Sequence, residues 1–136
     1  MAGQLDELVK SGMHTMTANA IMNGFVTGDG ASVTQATNRT TGVTINARCG
    51  TITTHNASLA AEAAATFVVT NNKVAIGDVV CVSQQSGSNG GNTMVHVVAT
   101  AAGSFSIQVS NNNAAAGTAE TGAILINFVV LKAVAA

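Results

Sequence analysis

The chain has 136 residues, 47% of them apolar and only 8% charged, with a formal net charge of -1. That length suits one domain with a sizeable core, and so neutral a surface gives weak electrostatic protection against association. Five Lys and Arg scattered from Lys10 to Lys132, with no Trp or Tyr, offer nucleic acid neither clustered cations nor a stacking platform, and no run reaches the roughly 20 apolar residues of a membrane helix.

From Gln4 to Met22 the apolar residues Leu5, Leu8, Val9, Met13, Met16 and Ile21 approximate helical spacing, and Asp6 and Glu7 lie where a helix dipole favours anions. A short amphipathic helix is expected here, with an extended arm as the alternative, because Gly12 and the run Thr15 to Asn19 weaken the helix. Residues 1–30 are read as an attachment segment, closed by the turn sequence Thr27-Gly28-Asp29-Gly30. The segment has neither the basic start nor the apolar centre of a secretory signal, so synthesis in the cytoplasm is expected.

Residues 31–136 change to a period of two and are read as one all-β domain, an antiparallel sandwich or jelly roll. Val43, Ile45 and Ala47 alternate with polar residues, as do Phe105, Ile107 and Val109. Further strands are expected at Ser32–Thr37, Gly50–Thr54, Thr66–Thr70, Asp78–Ser83 and Thr93–Thr100, and Leu59–Ala65 is expected to be a loop leading into a strand. Turns are expected at Asn71–Lys73, Ser86–Asn92, Ala101–Gly103 and Asn111–Gly117, where Gly and Asn accept left-handed backbone at little cost. The last strand, Ala123–Leu131, is apolar on both sides: Ile124, Ile126, Phe128 and Val130 on one, Leu125, Val129 and Leu131 on the other, broken only by Asn127. A domain this small has no inner sheet, so Leu125, Asn127, Val129 and Leu131 are expected to form a subunit interface.

No constellation of catalytic residues stands out, and the chain is not expected to be an enzyme. His14, His55 and His96 show no metal-ligand spacing, and no calcium loop is present, so neither metal nor cofactor is expected. Glu62, Asp78 and Glu120 stand singly beside turns and are read as solvated, with Asp78 taking part in the turn before its strand. Gly87-Ser88-Asn89-Gly90-Gly91-Asn92 lacks the Lys of a phosphate loop and is read as a flexible hairpin. Cys49 and Cys81 are read as buried thiols acting as small apolar side chains, and whether they pair is left open.

Several short strings follow one another in a set order and spacing: Thr34-Gln35-Ala36-Thr37, Thr41-Gly42-Val43-Thr44-Ile45-Asn46, Gly50-Thr51-Ile52-Thr53, Asp78-Val79-Val80, Gly103-Ser104-Phe105-Ser106-Ile107 and Ile126-Asn127-Phe128-Val129-Val130. Through them the region Ser32–Val134 resembles a family of small tailed-bacteriophage virion proteins, namely head decoration or cement proteins and heads of short fibres. The resemblance implies a trimeric β-sandwich or jelly-roll unit standing on a capsid or fibre, and the expected role is a decoration protein on the outer surface of a phage head, bound to the major capsid protein. It implies no catalytic residue. The alternative is a fibre tip that binds a receptor or carbohydrate, which the small number of aromatics disfavours.

Overall fold

The computed structural model of the chain describes residues 30–133, so the expected N-terminal helix or arm lies outside the described residues. Two four-stranded sheets stack face to face. One contains, in spatial order, β1 (Gly30–Thr34), β3 (Cys49–Thr53), β8 (Leu125–Leu131) and β5 (Val79–Ser86). The other contains β2 (Val43–Thr44), β4 (Ala64–Thr70), β7 (Ser104–Asn111) and β6 (Thr93–Ala101). There is no helix among the described residues.

The sandwich is the expected architecture, but two pairings correct the wholly antiparallel reading. β1 runs parallel to β3, and β2 runs parallel to β4. The cause is the route of the chain: β1, β2, β3 and β4 fall alternately in the first and second sheets. Each strand therefore reaches its sheet neighbour by way of the opposite layer, the kind of crossover that parallel pairing requires.

Local chemistry sets the strand ends. β1 stops at Thr34 because Gln35 turns inward, where its Nε2 donates to the carbonyls of Arg39 and Thr41 and its Oε1 accepts from the His55 amide. The alternation Val43, Ile45, Ala47 is buried throughout, yet the ladder with β4 covers only Val43 and Thr44. Beyond Ile45, side chains replace the ladder: Asn71 Nδ2 donates to the Ala47 carbonyl at 2.7 Å, and Asn46 Oδ1 accepts from the Asn72 amide at 3.0 Å.

Inward residues of both sheets form one core, in which Ile52, Ile126, Phe128 and Val130 of the first sheet meet Phe67, Val69, Phe105, Ile107 and Val109 of the second. The rings of Phe105 and Phe128 meet across the layers with centroids 5.5 Å apart. Aromatic contact of this kind adds to the burial of nonpolar area that drives folding. None of the eight strands contains Asp, Glu, Lys or Arg. The described charged residues lie outside the strands: Arg39, Arg48, Glu62, Lys73, Asp78 and Glu120 in the connections and Lys132 just after β8.

Candidate functional site

The outward face of the first sheet is built by the second half of the β8 alternation. With Ile124, Ile126, Phe128 and Val130 turned into the core, Leu125, Asn127, Val129 and Leu131 point the other way. The ladders extend each into a row: Leu131 beside Val79, Val129 between Cys49 and Cys81, Asn127 between Thr51 and Ser83, and Leu125 beside Thr53. Val79 is 55% exposed and Leu131 38%. Leu125 and Val129 are half-buried by their neighbours in the sheet. Asn127 is exposed, and its Oδ1 accepts from the Thr51 hydroxyl at 3.0 Å, while its side-chain amide nitrogen has two donors of its own. Cys81, Ser83, Asn127 and Val129 line a shallow depression of about 200 Å³.

The two cysteines are not buried: Cys81 is exposed and Cys49 half-buried. The expectation of buried thiols acting as small apolar side chains is corrected by the register, which puts both on the outward side, in line with Val129. One whole strand separates them. Two strand spacings amount to roughly 9.5 Å, beyond the roughly 6.8 Å limit for Cα atoms joined by a disulfide, so Cys49 and Cys81 cannot pair within one chain.

His96 lies exposed on the outward face of the second sheet, in line with Gln108 and Thr66, and Gln108 Nε2 donates to the Thr66 hydroxyl at 3.1 Å. Among the described residues no three His, Cys, Asp or Glu side chains gather as a metal site.

Glu120 is the largest departure from the sequence reading. It is not a solvated charge but fully buried. Its carboxylate accepts from Ser88 Oγ at 2.6 Å, from the amides of Asn89, Gly90 and Gly122 at 3.1, 3.0 and 2.7 Å, and from Thr93 Oγ1. Desolvation pushes the pKa of this carboxyl up, but the bonds from Ser88, Thr93, Gly90 and Asn89 outweigh it and hold the value at about 2. The segment read as a flexible hairpin is therefore a fixed crossing from β5 in one sheet to β6 in the other, folded around an internal anion. It also fits closely against the strand that follows Glu120. A Cβ on Gly87, whose φ is +96°, would stand 2.0 Å from the Ala123 carbonyl oxygen.

Arg39 is buried beside this crossing. Its guanidinium donates to the carbonyls of Ala57, Glu120 and Gly122 and to Thr54 Oγ1. Burial lowers its pKa, which the Glu120 charge partly offsets. Asp78 is likewise buried rather than solvated. It does shape the turn before β5, accepting from the Ala75 amide, and it also takes Lys132 Nζ and the Ala133 amide. Desolvation raises its pKa, and the bonds from Lys132, Ala75 and Ala133 bring it below the ordinary carboxylate value.

The expected attachment residues Leu5, Leu8, Val9, Met13, Met16 and Ile21 lie outside the described residues. Glu120 and Arg39 escaped the sequence reading because their partners are far away in the chain. The available signal was Ser88-Asn89-Gly90, a run of small donors suited to wrapping an anion. Comparison with family models, with curated proteins and with solved structures returned no match.

Proposed function

We propose that the chain is a structural protein of a phage particle, a decoration or cement protein that forms a trimer and binds the major capsid protein on the outer surface of the head. The observation that carries this reading is the absence of Asp, Glu, Lys and Arg from all eight strands, combined with the apolar rows around β8. Most soluble domains place about a quarter of their residues as charges and spread them over exposed strand faces. Here Val79, Leu125, Val129 and Leu131 stay at the surface instead. Covering them with neighbouring copies would remove nonpolar area from water, while Asn127 would fix the register by hydrogen bonding.

The number three and the capsid partner come from the resemblance of residues 32–134 to small virion proteins. Attachment is assigned to Leu5, Leu8, Val9, Met13, Met16 and Ile21 in the N-terminal segment. A trimer that binds only the assembled shell stabilises it by mass action, and three linked attachment segments act at high effective concentration. Such a protein would be made in the host cytoplasm and end on the virion. The fibre-tip alternative ranks lower, since Phe67, Phe105 and Phe128 are all buried and offer a carbohydrate no stacking surface.

The test is the solution mass of the full chain, measured by light scattering at rising concentration, with Asn127→Lys beside it. A mass of three chains or a multiple of three, lost in the variant, supports the reading, and a monomer at every concentration overturns it. Binding to purified heads, abolished by combined Leu5→Asp, Leu8→Asp and Val9→Asp substitution, tests attachment. Unchanged head binding by that variant rejects the assignment of the segment.

A further inference from the structure

The two sides of the sandwich are finished differently. On one side the outermost strands are β1 and β2, five and two residues long. On the other they are β5 and β6, eight and nine residues long, facing each other across the layers. A long edge strand exposes a row of unpaired amides and carbonyls, and soluble domains blunt such edges with Lys, Pro or inward-pointing charge. β5 and β6 contain no charged residue, and the chain has no proline. Each edge has one bulge, between Gln84 and Ser86 in β5 and between Val97 and Ala99 in β6. The regular ladder of β5 with β8 still runs unbroken from Val79 to Gln84.

The core is also unfinished on this side. Val80, Val82 and Val95 point inward but remain only partly buried, whereas Phe128 and Val130, one strand further in, are 3% and 0% exposed. Gln84 shares the inward side of β5, opposite Ile126, and is exposed. Among the described residues, a seam therefore runs along the sandwich, with two open strand edges flanking half-covered valines.

We infer that this seam is a second contact between copies of the chain, in which two β5 strands pair antiparallel about a twofold axis and join two four-stranded sheets into one of eight. A second copy suits the seam for two reasons. The edge is free of charge, so a self-complementary contact meets no repulsion. The area is also sufficient: a strip about 27 Å long and about 20 Å wide on each copy buries about 1,000 Å² in total, the lower bound for a specific interface. The contact is thus expected to be concentration-dependent. It is separate from the outward face and does not rest on the threefold reading.

The test compares the full chain with Gln84→Lys, Gln84→Thr and Asn127→Lys by analytical ultracentrifugation over a range of concentrations. Gln84 is exposed, so Gln84→Lys leaves thermal unfolding of the dissociated chain at low concentration unchanged while placing an inward charge on the edge. It is expected to weaken one step of association at least tenfold, reducing an assembly of six to three or of two to one. Gln84→Thr retains that step, and Asn127→Lys leaves it intact while removing the threefold one. Equal association by the full chain and Gln84→Lys overturns the proposal. Hydrogen exchange gives an independent readout. Amides of Val79–Gln84 are expected to slow as concentration rises, whereas protection independent of concentration would assign the edge to a segment of the same chain and overturn pairing between copies.

Discussion

Arg39 meets Glu120 through the backbone: its Nη2 donates to the Glu120 carbonyl oxygen at 3.2 Å, while the carboxylate of the same residue serves the 88–93 crossing. The same carbonyl accepts from the Leu59 amide, and the Glu120 amide donates back to Leu59. One residue thus ties together four connections, those that precede β2, β4, β6 and β8.

Glu120→Gln keeps the shape but puts an amide where five donors converge, so at least one buried donor loses its acceptor. Leaving such groups unpaired costs about 3 kcal/mol. The expected result is a lower midpoint of urea unfolding with an unchanged slope, and faster amide exchange at Asn89 and Gly90.

The same carboxylate makes stability depend on acid. Its folded pKa, about 2, lies below the ordinary 4.5, so the stabilisation is complete above the unfolded value and is lost as pH falls through the folded one. Asp78 acts in the same direction. Thermal melts are expected to be flat above about pH 5 and to lose on the order of 3 kcal/mol by pH 2, with most of that slope missing in Glu120→Gln.

Gly87 and Gly91 separate close approach from backbone conformation. Both have positive φ, but a Cβ at Gly87 meets the Ala123 carbonyl at 2.0 Å while one at Gly91 meets nothing within 4 Å. Gly91→Ala is expected to cost about 1 kcal/mol, and Gly87→Ala roughly 3 kcal/mol because the crossing must also move off the chain before β8. Equal melting temperatures for the two variants would contradict this.

With Val129 standing between them, Cys49 and Cys81 are expected to stay as thiols within the chain under air oxidation. Alkylation in denaturant without reductant should label both, and in the native protein Cys81 should react first, being the more exposed. An intrachain disulfide in the intact mass would contradict the β3-β8-β5 register.

Much of the sandwich was legible because period two survives wherever one face is core. Phe105, Ile107 and Val109 are buried as expected, and so are Ile124, Ile126, Phe128 and Val130. Alternation identifies the inward face but not the neighbouring strand, which is why the parallel pairs β1 with β3 and β2 with β4 were not foreseen. The acidic residues were misread for a different reason. A lone carboxylate is ordinarily cheaper in water than inside. Glu120 reverses that with four donors from Ser88 to Thr93, each more than 25 positions upstream, beside the local Gly122 amide, and no local pattern encodes such convergence.

The strand order also sets when folding can finish. In the sheet β1-β3-β8-β5, the last strand in sequence lies between β3 and β5 and is the only link between them. Until residues 125–131 leave the ribosome, β5 has no neighbour in its sheet, and the apolar side chains that β8 will cover stay open to other nascent chains. Completion of this sheet therefore waits for β8, with contacts of high sequence separation slowing the final step.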